Sequence, residues 1–141
     1  MMALLPAVLV VDDDVNIAVM LSEHLTRQGM RVSYCHDAAQ AMIQAEGLRP
    51  ALVIADIMMP AWGSGIDAYR KLRAHPRLKD TPVIFLTGLK PAQARPLVPA
   101  NDPKLRLLHK PVTLAVLMQT IRDLTGDRLL PASPQKGSPH G

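Results

Sequence analysis

One cysteine, one tryptophan and one phenylalanine stand in a chain of 141 residues. A lone Cys35 forms no internal disulfide, so nothing here depends on an oxidising compartment and a cytoplasmic setting is expected. Aromatics are 3% of the chain, too few for the stacking platforms that hold single-stranded nucleic acid. No apolar run approaches the roughly 18 residues that a membrane span needs. The opening Met1-Met2-Ala3-Leu4-Leu5-Pro6-Ala7-Val8-Leu9-Val10-Val11 is apolar, but it lacks a basic leader and runs straight into three aspartates. It reads as neither a secretory signal nor a membrane anchor.

What the chain has in quantity is aliphatic residues. Hydrophobic residues are 48% and charged ones 20%, enough to bury the core of one globular domain without staples. The formal charge of +4 raises the question of nucleic acid. Much of the excess lies in Arg70, Lys71, Arg73, Arg77 and Lys79, which read as a helix end and the loop after it. Basic residues there complement the helix dipole and keep a face solvated, so direct nucleic-acid binding is not expected.

The informative stretch is Leu52-Val53-Ile54-Ala55-Asp56-Ile57-Met58-Met59-Pro60. Apolar residues without polar alternation suggest a strand covered on both faces, as in a parallel α/β sheet. Asp56 then falls at the carboxyl end, the edge where open α/β sheets place their ligands. Taken alone, it is as readily a turn former. Residues 7–11 form a similar strand ending in Asp12, Asp13 and Asp14, with Asp14 the expected cap of a helix over 15–28. A short alternating strand over 31–35 precedes an Ala-rich helix over 37–46, capped by Asp37 and closed by Gly47. A helix over 66–74 stops near Pro76, and a fourth strand over 83–87 ends in the hydroxyl of Thr87. Pro91, Pro96, Pro99 and Pro103 then stand where a helix belongs, so any helix there is short or kinked. A fifth strand over 105–109 leads to Lys110-Pro111. Thr113 caps a last helix with Leu114, Leu117, Ile121 and Leu124 on one face.

Five strands alternating with helices imply a parallel sheet with right-handed crossovers. Two strands end in acid, one in Thr and one in His-Lys, all along one sheet edge. Carboxylates of Asp12, Asp13 and Asp56 suit a hard cation such as Mg²⁺. Lys110 adds a point positive charge and Thr87 a hydroxyl. These are the parts needed to receive a phosphoryl group.

Val10-Val11-Asp12-Asp13-Asp14, Asp56-Ile57-Met58-Met59-Pro60, Thr87-Gly88 and Lys110-Pro111 together resemble the receiver domain of bacterial two-component response regulators, over roughly residues 7–125. The resemblance implies a (βα)5 fold of the flavodoxin/CheY-like, three-layer kind, with strand order 2-1-3-4-5 and here an irregular fourth helix. It implies Asp56 as acceptor of a phosphoryl group from a histidine kinase or histidine phosphotransfer protein. It further implies Mg²⁺ held by Asp13, Asp56 and the backbone carbonyl of Met58, with Asp12 acting through water. Thr87 is then the switch hydroxyl and Lys110 the ammonium that pairs with the phosphoryl group; the Lys110-Pro111 bond is often cis in such domains. The implied organisation is a lead-in over 1–6, a receiver over 7–126 and a flexible Pro/Gly/Ser-rich tail over 127–141. With no output module in that tail, signalling through a protein partner is expected. A receiver cut from a hybrid kinase or larger regulator reads the same way.

Three departures from the family pattern stand out. Ser64 occupies the place of the glycine before the third helix, and Gly65 takes that role through a one-residue insertion that reshapes the loop carrying Trp62. Leu107 replaces the aromatic that couples to the switch hydroxyl in many relatives. The proline-rich segment replaces a regular fourth helix, so phosphorylation is expected to remodel residues 88–103. Met58 and Leu89 flank the site and are apolar, which predicts slow self-dephosphorylation. Two other classes compete. An Asp-x-Asp phosphatase of the haloacid dehalogenase type leaves Asp56 without a role and lacks acids on a strand after the lysine. A pseudo-receiver, a binding module that is never phosphorylated, is favoured by Leu107 but opposed by the intact acids, Thr87 and Lys110.

Overall fold

Five parallel strands carry the chain's most apolar stretches: β1 (Ala7–Val11), β2 (Arg31–Cys35), β3 (Leu52–Ala55), β4 (Val83–Thr87) and β5 (Leu105–His109). They pair in the order β2-β1-β3-β4-β5, in a computed structural model that describes residues 5–58, 64–126 and 129. Every residue of β1, β3 and β4 is buried, because helices cover both faces of the central strands. Alternate side chains feed two separate cores. One holds Leu9, Val11, Val53, Ala55, Val83 and Phe85; the other holds Val8, Val10, Leu52, Ile54, Ile84 and Leu86. Edge strand β2 departs from the expected alternation, since only Cys35 is buried in it. Burial and the neighbouring Asp37 push the Cys35 thiol up to about 12, so it is a packing residue and not a nucleophile.

The helices are α1 (Val15–Arg27), α2 (Ala38–Leu48), α3 (Gly65–Ala74), α4 (Pro91–Ala94) and α5 (Leu114–Thr125). Their starts are written in the sequence. Asp14, Asp37, Ser64 and Thr113 each accept a backbone N–H of the first turn through the side chain, and Ser64 forms a reciprocal box with Asp67. The proline-rich segment yields the four residues of α4 and a single 3-10 turn over Arg95–Leu97, as its missing N–H groups demand.

Two expectations are corrected. Helix α2 does not close at Gly47; it runs to Leu48, and Arg49 takes the left-handed conformation at φ 48°. Pro50 bars Arg49 from continuing the helix, so termination comes from the proline and not from the glycine. On α5 the buried stripe is Leu117, Met118, Ile121 and Thr125, while Leu114 is 38% exposed. The 3.6-residue period carries the stripe to the i+4 partners and leaves the first turn outside it. The predicted tail over 127–141 and residues 1–4 of the lead-in over 1–6 lie outside the described residues. Leu129 is the exception, and it is 2% exposed as a member of the core that holds Leu25 and Ile121.

A network that no local pattern announces ties α3 to the segment before β5. Arg73 Nε donates to Asp102 Oδ2 at 2.7 Å, and the Tyr69 hydroxyl donates to the same oxygen at 2.6 Å. The Arg73 guanidinium also reaches the carbonyls of Thr81 and Lys104 and lies 4.9 Å over the Tyr69 ring. Arg73 therefore does structural duty that its place in a basic run concealed. Burial alone raises the Asp102 carboxyl, but the Tyr69 and Arg73 hydrogen bonds and the Lys104 N–H outweigh it and hold it below the usual carboxylate value. A lowered folded-state value stabilises above the unfolded pKa, near 4, and that contribution fades as pH falls through the folded one. Asp102→Asn is expected to cost about 2 kcal/mol at neutral pH and to flatten the loss of stability below about pH 4. Urea unfolding at pH 7 and pH 3 checks both; equal losses for the two proteins across that range count against it.

Candidate functional site

The carboxyl ends of β1, β3, β4 and β5 meet at one edge of the sheet. Asp12 and Asp13 follow β1, Asp56 follows β3, Thr87 ends β4 and Lys110 follows β5. Register sets this meeting. Val11 lies beside Ala55 and Thr87 beside His109, so the next residue on each strand reaches the same edge. Carboxylate oxygens of Asp12, Asp13 and Asp56 lie within 4.8 Å of one another.

Lys110 organises the acids. Its Nζ donates to Asp12 Oδ2 at 2.9 Å and to Asp56 Oδ2 at 3.0 Å, across 98 and 54 residues of chain. The Lys110 backbone N–H donates to the Thr87 carbonyl at 2.7 Å, which holds the lysine against β4, and the Lys110-Pro111 peptide is cis. Burial pulls the ammonium towards neutrality, but the hydrogen bonds and charges of Asp12 and Asp56 more than reverse this and raise it above its ordinary value. It stays charged across the physiological range. Burial raises Asp12 in turn, and the Asp14 N–H and Lys110 offset only part of that effect. The site thus holds one buried and frustrated carboxylate beside a firmly charged ammonium.

The oxygens differ in how far they are already committed. Asp12 Oδ1 accepts the Asp14 N–H at 2.9 Å and its Oδ2 accepts Lys110. Asp56 Oδ1 accepts the Met58 N–H at 3.1 Å and its Oδ2 accepts Lys110. Asp13 is exposed and forms no ion pair among the described residues. Three carboxylates against one ammonium leave a net charge of −2, an all-oxygen environment that fits a small divalent cation. Asp14, the surplus acid, is occupied as the cap of α1.

Thr87 is fully buried, and its Oγ1 accepts the Leu89 N–H at 3.1 Å. Met58 is 55% exposed and Leu89 half-buried, and their backbone N–H groups donate to Asp56 and Thr87. The reshaped loop and Trp62 fall in residues 59–63, outside the described residues. Sequence reasoning missed His109, whose Nδ1 lies 3.0 Å from the Leu89 carbonyl. Its place beside Lys110 at a strand end was the available signal.

Comparison with known proteins agrees with this arrangement. The family model described as the response regulator receiver domain matches residues 8–122. The DNA-binding response regulator MtrA of Mycobacterium tuberculosis is 40% identical over 81 residues, which cover 57% of this chain and 34% of MtrA. The transcriptional regulatory protein AfsQ1 of Streptomyces coelicolor is 34% identical over 84 residues, 60% of this chain and 36% of AfsQ1. The chain thus spans about a third of the length of these curated relatives. Among solved structures, chemotaxis protein CheY4 of Vibrio cholerae superposes with a TM-score of 0.76 at 26% identity, covering 85% of this chain and 98% of that one. The receiver domain of sensor histidine kinase PA1611 from Pseudomonas aeruginosa, with a magnesium ion in its active-site cleft, gives 0.74 at 26% identity over 86% and 98%. TrrA of Thermotoga maritima, in complex with Mg²⁺ and BeF, gives 0.72 at 27% identity over 85% and 99%. The strand order, the acids and the lysine at one sheet edge, and a family match over most of the length converge on one conclusion: this chain belongs to the response regulator receiver domain family.

Proposed function

We propose that this receiver accepts a phosphoryl group on Asp56 from the phosphohistidine of a sensor kinase or histidine phosphotransfer protein. The observation that carries the reading is the Lys110 ammonium bridging Asp12 and Asp56 while Asp13 forms no ion pair among the described residues. An Asp56 oxygen attacks phosphorus, the O–P bond forms as the P–N bond breaks, and the departing imidazole takes up a proton. Lys110 has three N–H donors and spends two on carboxylates, so one remains for a phosphoryl oxygen. Thr87 accepts from Leu89 and keeps its own proton to donate to the product. Asp13, Asp56 and the Met58 carbonyl are the proposed direct ligands of Mg²⁺, with Asp12 joined through water, as the family resemblance implies. Bound there, Mg²⁺ supplies neutralising charge for the carboxylates and the phosphoryl oxygens.

The receiver spans residues 7–126 on this reading, acts in the cytoplasm and signals through contact with another protein or domain; DNA binding is said of the relative MtrA. The test is formation of a base- and hydroxylamine-labile acyl phosphate from acetyl phosphate, with and without Mg²⁺. Labelling that needs Mg²⁺ supports the reading, and no labelling with Mg²⁺ present sinks it and leaves a binding module. Met58 and Leu89 bear no group that orients a water, so the acyl phosphate should be long-lived. Met58→Asn is expected to speed its decay about tenfold by holding a water for attack. The decay after donor removal measures this, and an unchanged rate counts against it.

A further inference from the structure

His109 ends β5 and lies on the same strand face as Leu105 and Leu107, two residues beyond the leucine that replaces the usual aromatic. Its Nδ1 is 3.0 Å from the Leu89 carbonyl oxygen, which can only accept, so Nδ1 carries the proton. One peptide back, the Leu89 N–H donates to Thr87 Oγ1 at 3.1 Å. The ring closes through the sheet, where Thr87 lies beside His109 and its carbonyl accepts the Lys110 N–H at 2.7 Å. Residue 89 is therefore bracketed. Its carbonyl is held by β5, and its N–H fixes the lone pair of the buried Thr87 hydroxyl.

We propose that His109 is a positioning residue for phosphoryl transfer, holding Leu89 so that the Thr87 hydroxyl stays oriented with its proton free for the incoming group. The proposal rests on the Asp56 reading above. A hydroxyl with its lone pair engaged has fewer directions left for its proton, and such preorganisation acts where charge develops. In this chain the link between the Thr87 hydroxyl and the His109 side chain runs through the backbone of Leu89. An aromatic at Leu107 is not needed for it. The neighbouring α4 is only four residues long.

Histidine's two nitrogens make the idea testable. Asparagine places its amide nitrogen near the position of Nδ1, whereas glutamine reaches towards that of Nε2. The rate of Mg²⁺-dependent acyl-phosphate formation from acetyl phosphate is measured for wild type, His109→Asn and His109→Gln, with the Leu89 amide exchange rate followed in the absence of donor. His109→Gln should label about tenfold more slowly at saturating donor, with the half-saturating concentration unchanged and a faster Leu89 amide. His109→Asn should stay within about twofold of wild type in both respects. In a Thr87→Val background the His109→Gln penalty should vanish, which a merely structural role would not produce. A wild-type rate in His109→Gln, equal slowing in His109→Asn, or a penalty that persists without the Thr87 hydroxyl overturns the proposal alone. An unlabelled wild type overturns the Asp56 reading and this proposal with it.

Discussion

Asp56→Asn should reduce Mg²⁺-dependent labelling by acetyl phosphate to background while leaving the protein folded. The amide nitrogen and oxygen of asparagine cannot attack phosphorus as a carboxylate does, so the loss is chemical and is expected to exceed about a thousandfold. Stability should not fall with it. Asp56 is 9% exposed and shares Lys110 with Asp12, and removing its charge leaves that ammonium one partner 2.9 Å away. It also relieves repulsion within a cluster that lies inside 4.8 Å, so the midpoint of thermal unfolding should hold or rise by a few degrees. Mg²⁺ affinity should weaken, since one of the three acids is gone. Labelling that survives in Asp56→Asn, or moves to Asp12 as an Asp-x-Asp phosphatase would require, overturns the assignment.

Much of this arrangement is legible in the sequence. Unbroken apolar runs such as Leu52-Val53-Ile54-Ala55 mark buried parallel strands because only a sheet covered on both faces can hold them. The caps Asp14, Asp37 and Thr113 and the proline-limited α4 follow from backbone rules that act within a few residues, whereas the capping box of Ser64 and Asp67 went unread. Meeting of the acids with Lys110 follows from topology, since parallel strands bring all their carboxyl ends to one edge. What the sequence hid are contacts between residues far apart and of unremarkable type. Tyr69 and Asp102 are 33 residues apart, His109 and Leu89 are 20, and no periodicity pairs them.

Those hidden contacts refine how the proline-rich segment can respond. Remodelling was expected across residues 88–103. Asp102, however, is fastened to α3 by Arg73 and Tyr69, and its own Oδ1 accepts the Lys104 N–H at 2.8 Å. At the other end Leu89 is held by Thr87 and His109. Between these anchors, Lys90, Arg95, Leu97 and Asn101 are exposed, and only Ala94 is buried. Any movement that starts when Thr87 changes partner therefore has a natural extent of residues 90–101, with the Asp102 network as its far stop.

The largest stability effect is expected at Gly65→Ala. A Cβ at Gly65 would fall on the Asp56 carbonyl oxygen, 2.9 Å from the Asp56 carbonyl carbon and 3.2 Å from the Ile57 Cα. All three atoms are backbone, so no side chain can swing aside. The Gly65 N–H also donates to the Ile57 carbonyl at 3.0 Å, which pins α3 against the end of β3. The requirement is for space, which explains why a glycine follows the Ser64 cap even though the loop carries one more residue than the family pattern. Relief must come from moving α3 or the strand end that bears Asp56. A cost of about 3 kcal/mol is expected, or roughly 10 °C in the unfolding midpoint for a domain of this size. Displacing Asp56 by about 1 Å from Lys110 should slow labelling about a hundredfold in the molecules that remain folded. Gly47→Ala is the control, for Gly47 lies inside α2 with nothing within 4 Å of its would-be Cβ. That change should stabilise by about 0.5 kcal/mol and leave labelling alone. If the two alanine variants unfold and label alike, the close approach of α3 to Asp56 is not what fixes the site.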